Sequence, residues 1–224
     1  MTYPDPDRRP VDRPAPLSQS GAPGFLWALV GVMAAIELAL TASDAGLLGG
    51  RDLRSLAYLY GAFWQPLVAG TVLPIYSGQT VAMYVTHAFL HGGLLHLAMN
   101  AVILLSLGKI IAARIGAFGT LSVFFLSAIA GGTAFGLISS GAGPMIGASG
   151  AAFGFFGIWN AWEFSLRRRR QMPLRPVLAT AAGLMLANIA LFVFLGGGLA
   201  WEAHLGGYVM GWLAGLTFAR GLPR

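Results

Sequence analysis

The sequence contains no cysteine and very few charged residues. Without cysteine there can be no disulfide, no thiolate nucleophile and no cysteine-based zinc or iron–sulfur site. Charged residues make up only 10% of the 224 residues, whereas hydrophobic residues make up 56%. Several apolar runs reach the length of a membrane-spanning helix. This composition is typical of a multi-span membrane protein and excludes an ordinary soluble domain.

The shortage of acidic residues leaves a formal net charge of +6, from 14 basic and 8 acidic residues. In a soluble domain such an excess would suggest a nucleic-acid partner. Here the arginines lie between apolar runs, where they report the orientation of the chain in the membrane. We therefore exclude nucleic acid and expect the lipid bilayer to surround the protein.

The chain divides into a polar tail and six apolar segments. Residues 1–24 are rich in proline, aspartate and arginine, and we expect a disordered cytoplasmic tail. Residues 25–220 are expected to form one all-α membrane domain, followed by a short cytoplasmic tail at 221–224. The six predicted transmembrane helices are Phe25–Ser43, His87–Gly108, Phe118–Ser139, Ala148–Leu166, Pro176–Leu195 and Trp201–Ala219.

The segment Ser55–Leu73 is also apolar, but we interpret it as part of a long, membrane-embedded outer loop. It contains Tyr58, Trp64 and Pro66, which are typical of an interfacial structure. With a cytoplasmic amino terminus, twelve of the fourteen basic residues lie on the cytoplasmic side. A seventh span here would put Arg167–Arg170 on the side opposite the basic tail.

Two polar side chains from different predicted spans lie at nearly the same depth. Ser149 precedes Arg167 by 18 residues, which places it roughly 27 Å above the cytoplasmic edge of the membrane. His204 precedes Arg220 by 16 residues, or roughly 24 Å. Both helices run inward, so the two side chains can meet just below the outer surface.

Glycine residues favour a close approach of these two helices. They recur along one face of each span: Gly150, Gly154 and Gly157 in the fourth, and Gly207, Gly211 and Gly215 in the last. Such faces let helix backbones touch in lipid. The faces continue outward to the depth of the serine and the histidine.

This arrangement predicts serine hydrolysis. Ser149 begins a helix, where free backbone N–H groups favour developing negative charge, and His204 can take the hydroxyl proton. His96 and Asn100 are spaced i,i+4 on one helix face and lean toward the same depth, which suits oxyanion donors. Because no carboxylate is placed to orient His204, we predict a dyad, with no cofactor.

A metal site is an alternative interpretation of the histidines. His87 and His91 are also spaced i,i+4, and together with His96 they could bind zinc or iron. A His-Glu-x-x-His motif and a nearby carboxylate ligand are absent, and His96 is off the face shared by the other two. We therefore predict no metal, and expect His87 and His91 to pin the outer loop to the second helix through hydrogen bonds.

A small transporter is an alternative that needs no hydrolysis. It would use a buried ion or proton path built from Glu37, Glu163 and Asn188. Interhelical hydrogen bonds are the preferred explanation for each of these residues.

Three motifs together resemble the rhomboid family of intramembrane serine proteases. They are Gly147-Ala148-Ser149-Gly150 at the head of a span, His96-Leu97-Ala98-Met99-Asn100 in the second span, and His204 with Gly207 and Gly211 in the last span. The likeness covers the six spans, roughly residues 25–220. It implies a rhomboid-like helical bundle that forms a catalytic membrane domain.

The resemblance also implies roles for single residues. Ser149 is then the nucleophile and His204 the general base, while His96, Asn100 and the Ser149 backbone amide bind the oxyanion. Gly147 leaves the loop open to that oxyanion.

A ring below the catalytic histidine is a further feature of the family. Phe153 stands where many members have a tyrosine, so stacking is kept and a hydroxyl is lost. Gly150 and Gly207 support the close helix contact. The fifth span, between Pro176 and Gly196-Gly197-Gly198, resembles the lateral gate.

The implied substrates are single-span membrane proteins, cleaved near the outer end of their transmembrane helix. The implied location is a bacterial-type inner membrane, with both termini in the cytoplasm. A relative that binds clients without cutting them is the alternative within the family, but such relatives usually lose the serine or the histidine.

The sequence departs from the family pattern at two places. Ala82-Met83 replace a Trp-Arg pair that often precedes the second span, so the outer loop must be anchored differently. Ala112 stands where a glutamate is common near the inner end of that span. Neither position belongs to the predicted dyad.

Overall fold

The computed structural model describes residues 21–49, 52–141 and 143–218. Within these ranges the chain forms eight α-helices and one short 3₁₀ turn, so the predicted all-α class is confirmed. The helices are α1 (Gly24–Asp44), α2 (Leu53–Gly61), α3 (Gln65–Val68), α4 (Gln79–Thr86), α5 (Leu94–Ile138), α6 (Ser149–Arg169), α7 (Arg175–Phe194) and α8 (Trp201–Phe218). The predicted tails, at 1–24 and 221–224, lie almost entirely outside the described residues.

Among the described residues, α1, α5 and α7 are long and apolar enough to cross a membrane by length and composition alone. Helix α5 has 45 residues and breaks at Gly116, whose φ of 71° and ψ of 179° are not helical. Glycine has no Cβ and adopts this positive φ readily. Each half of α5 is about 33 Å long, close to the thickness of a bilayer core. These halves correspond to the second and third predicted spans.

Most predicted helix starts agree with the structure. The first, fourth, fifth and last spans begin within one residue of α1, α6, α7 and α8. The predicted start of the second span is wrong, because His87–Phe89 form a 3₁₀ turn and α5 begins only at Leu94. Gly93, with a φ of 131°, changes the chain direction immediately before α5.

Helices α6 and α8 are the most extensively packed pair. Gly207 lies against the carbonyl oxygen of Gly150, and Gly211 against that of Gly154, so closely that a Cβ on either α8 glycine would overlap the oxygen. These contacts leave no room for any other residue type. The two glycine faces expected from the sequence therefore meet each other.

Phe63 attaches the outer segment, which carries α2 and α3, to the rest of the bundle. Phe63 exchanges two backbone hydrogen bonds with Met145, each of 2.9 Å, in the loop that leads to Ser149. Its ring is fully buried and packs on Gly132 and Gly136 of α5. Since neither α2 nor α3 exceeds nine residues, the apolar segment Ser55–Leu73 contains no helix long enough to cross a bilayer.

An ion pair joins the same segment to α1. The Arg54 guanidinium of α2 donates to both carboxylate oxygens of Glu37, at 2.8 and 3.2 Å, and to Asp44 at 2.6 Å. The Glu37 side chain is completely buried. Hydrogen bonding to Glu37 is the main reason that the pKa of Arg54 lies above its ordinary value. Glu37 thus makes the interhelical hydrogen bond expected for it, and its partner is Arg54 of the outer segment.

We expect Arg54→Met to lower the free energy of unfolding by about 3 kcal/mol, because it leaves the buried Glu37 carboxylate without a charged partner. Denaturant unfolding in detergent measures this loss. The double variant with Glu37→Gln should lose less than the two single variants together. Arg168→Met, at an exposed position on α6, is the matched control. Equal stability of Arg54→Met and that control would contradict the role of the ion pair.

Candidate active site

Ser149 is the first residue of α6. A first helical residue has no intrahelical partner for its backbone N–H group, so this donor points toward the outer end of the helix. Gly147, with a φ of 115°, turns the preceding loop across the helix start. The Ser149 hydroxyl oxygen lies 2.8 Å from Nε2 of His204. A serine hydroxyl and an imidazole therefore share a hydrogen bond at the amino terminus of a helix.

His204 is buried in the first turn of α8, with 4% of its surface exposed. Its ring is stacked on Phe153, with centroids 4.2 Å apart and planes 6° from parallel. Phe153 lies one turn below Ser149 on α6, so a single helix supplies both the hydroxyl and the stacking surface. The stack fixes the plane in which the imidazole lies.

The second nitrogen of the imidazole has a partner from α7. Nδ1 of His204 lies 2.6 Å from Oδ1 of Asn188. Because an amide oxygen can only accept, Nδ1 carries the proton and Nε2 keeps a lone pair for the Ser149 hydroxyl. The sequence suggested only an interhelical hydrogen bond for Asn188. Counting along the helix could have identified Asn188, because it lies 13 residues after Arg175, or roughly 20 Å from that end of α7, a level similar to the one predicted for His204.

His96 faces the loop that precedes Ser149. Its Nδ1 accepts from the backbone N–H of Gly92 at 3.3 Å, so the neutral ring carries its proton on Nε2. A Cβ placed on Gly147 would lie 2.8 Å from this Nε2 and 3.8 Å from Nδ2 of Asn100. Both nitrogens thus border the space beside the Gly147 Cα, which only glycine leaves open.

Asn100 is one turn below His96 on α5 and is 2% exposed. Its Nδ2 donates to the His96 carbonyl at 3.2 Å. An amide nitrogen carries two hydrogens, so the second remains to point toward Gly147. His96, Asn100 and the start of α6 converge on one small space.

His87 and His91 support the loop around this space, but the hydrogen bonds that we expected them to make to the second helix, which is the first half of α5, are not among those formed by the described residues. Because they precede α5, they do not lie on one helix face, and the i,i+4 pairing assumed for the metal alternative is wrong. The His87 carbonyl accepts from the N–H of Gly147 at 2.9 Å, and its Nε2 lies 3.4 Å from the Ala128 carbonyl. The His91 carbonyl accepts from the Tyr58 hydroxyl at 2.9 Å. Within the described ranges, no group of three or more His, Asp or Glu side chains could hold a metal ion.

The residues of the transporter alternative have separate partners. Glu37 pairs with Arg54, whereas Glu163 pairs with Arg167 one turn further along α6. Asn188 is bonded to His204. Glu37 and Asn188 thus make the interhelical hydrogen bonds expected for them. The interhelical bond expected for Glu163 is wrong, because its partner lies on its own helix.

These features define a helical membrane protein in which a half-buried serine is hydrogen-bonded to a buried histidine. The Rhomboid domain family model matches residues 78–221, which is more than half of the chain. The protein belongs to the rhomboid family, as its motifs predicted. It is an integral membrane protein.

Two relatives are similar over part of the chain. Rhomboid-like protease 3 of Toxoplasma gondii is 29% identical over 153 residues, which cover 65% of this chain and 54% of the relative. Rhomboid protein 1, mitochondrial, of Saccharomyces cerevisiae is 33% identical over 150 residues, covering 61% of this chain and 42% of the relative. The matches thus span about half the length of these relatives.

Proposed function

We propose that the protein is an intramembrane serine endopeptidase that uses Ser149 and His204 as a dyad. The observation that carries this proposal is the 2.8 Å contact between the Ser149 hydroxyl and Nε2 of His204. Membership of the rhomboid family supports it. The substrates are single-span membrane proteins, cut near the outer end of their transmembrane helix.

The chemistry follows from the position of each proton. Nε2 of His204 takes the hydroxyl proton as the Ser149 oxygen attacks the carbonyl carbon of the scissile peptide bond. The imidazolium then gives that proton to the leaving amine, and an ester to Ser149 remains. A water molecule, deprotonated by His204, hydrolyses this ester and restores the free hydroxyl.

The negative oxygen formed during attack needs donors. Nε2–H of His96, the free hydrogen of Asn100 Nδ2 and the backbone N–H of Ser149 can supply them. Gly147 leaves room for that oxygen, because a Cβ there would fill the space beside His96. Phe153 stacks on the ring of the base His204, while Gly150 and Gly207 keep α6 and α8 in contact.

The topology that supports this chemistry has six membrane crossings, with α5 crossing twice. Helices α6 and α8 are less apolar than α1, α5 and α7, but they pack against each other and against α5, so polar side chains on them can face protein rather than lipid. With both termini in the cytoplasm, the start of α6 lies near the outer surface, where water is available. A bacterial-type inner membrane fits this orientation.

We expect Ser149→Ala to reduce cleavage at least about 10⁴-fold, because the nucleophile is lost while the helix start is kept. The measurement uses the purified full chain in detergent with a single-span substrate whose helix carries small residues and helix breakers near its outer end. Ser106→Ala, at an exposed position on α5, should cleave like the wild type. Unchanged cleavage by Ser149→Ala, or no cleavage by the wild type, would refute the proposal; the second result would favour a client-binding protein.

We expect His96→Ala and Asn100→Ala each to lower kcat about 10²–10³-fold with little change in KM, because each removes a donor needed mainly in the transition state. Initial rates over a range of substrate concentrations separate the two constants. Thr133→Ala, an exposed position on the same helix, is the control. A rise in KM at constant kcat would instead place these residues in substrate binding.

A further inference from the structure

Helix α7 is packed far more loosely than its neighbours. Of its described residues Val177 alone is buried, and its contacts with α6 are few. Two polar contacts nevertheless attach it to the bundle. Near its cytoplasmic start, Nδ2 of Asn160 donates to the Val177 carbonyl at 3.2 Å. Near its outer end, Asn188 meets His204 at 2.6 Å.

We propose that Asn188 is a positioning residue that holds His204 in the tautomer required of a general base, and that the position of α7 decides whether this contact exists. The inference rests on the proposed function and deepens it. It adds to the predicted dyad a third residue, which touches neither substrate nor the reacting atoms.

The tautomer matters because only one form of a neutral imidazole can accept a proton at Nε2. If the hydrogen sits on Nε2, the ring donates to the Ser149 hydroxyl and cannot deprotonate it. Stacking on Phe153 sets the plane of the ring but does not determine which nitrogen carries the proton. Oδ1 of Asn188 does determine it, because it accepts a hydrogen bond from Nδ1.

The attachment of α7 makes this contact sensitive to movement. Asn188 lies 11 residues beyond Val177, or about 16 Å along the helix. Most side chains of α7 face outward, among them Leu186, which is 63% exposed, and Ile189, which is 53% exposed. A displacement of the outer half of α7 therefore breaks little apart from the contact between Asn188 and His204. When α7 lies against the bundle, Asn188 holds the proton of His204 on Nδ1. When α7 moves away, this contact is lost and the tautomer is no longer fixed.

Nitrogen-15 NMR of the full chain in detergent tests the tautomer without any substrate. The protein has four histidines, and the spectrum of His204→Ala identifies the signals of His204. In the wild type we expect the proton on Nδ1. Asn188→Leu, which is similar in size but has no acceptor, should move it to Nε2 or to a mixture, whereas Asn188→Asp, which keeps an acceptor, should retain it on Nδ1.

The control is Ile189→Ala on the neighbouring, outward-facing position, which should give the wild-type pattern. Retention of the Nδ1 proton in Asn188→Leu would overturn the proposal. So would a wild type whose His204 carries its proton on Nε2.

Kinetics provide a second measurement. Asn188→Leu should lower kcat about 10–100-fold, within the range that general-base catalysis contributes, and leave KM within about twofold. Asn188→Asp should recover most of the loss. If the wild type cleaves no substrate, the proposed protease function is wrong. The NMR pattern still decides whether Asn188 positions His204. Normal cleavage by Asn188→Leu in an active protease defeats the positioning role alone.

Discussion

The contact between the backbones of α6 and α8 is the constraint on which the rest of the structure depends. Lipid provides no hydrophobic driving force between helices, so close packing must hold them together. Gly207 lies so close to Gly150 that a Cβ on Gly207 would overlap the Gly150 carbonyl oxygen. Ser149 directly precedes one glycine, and His204 lies one turn outward from the other. Their hydrogen bond therefore follows from the packing below them.

The loop that crosses the start of α6 is held independently of that packing. Its residue Met145 pairs with Phe63, and its residue Gly147 donates to His87. The outer segment is in turn tied to α1 through Arg54 and Glu37. Phe63 and the ion pair lie outside the part of the chain that matches the Rhomboid domain, which begins at residue 78. Phe63 and this ion pair anchor the outer segment in a chain that has Ala82-Met83 in place of the Trp-Arg pair.

Local sequence signals accounted for those features that depend on helix length and depth. Counting residues back from Arg167 and Arg220 placed Ser149 and His204 at one level, and glycine spacing indicated which helix faces meet. The same signals could not locate the start of α5, because an apolar composition does not distinguish a 3₁₀ turn at His87 from a helix. Glu37 and Asn188 were explained only in general terms, since a polar residue in an apolar helix does not reveal which partner it meets.

The central claim is that the hydroxyl of Ser149 is activated by His204. Labelling of the intact protein with a fluorophosphonate, followed by mass spectrometry of its peptides, measures this activation directly, because the reagent phosphonylates only a nucleophilic serine. We expect one adduct on Ser149 in the wild type and none in His204→Ala. An adduct on another serine, or equal labelling of Ser149 without the histidine, would contradict the claim.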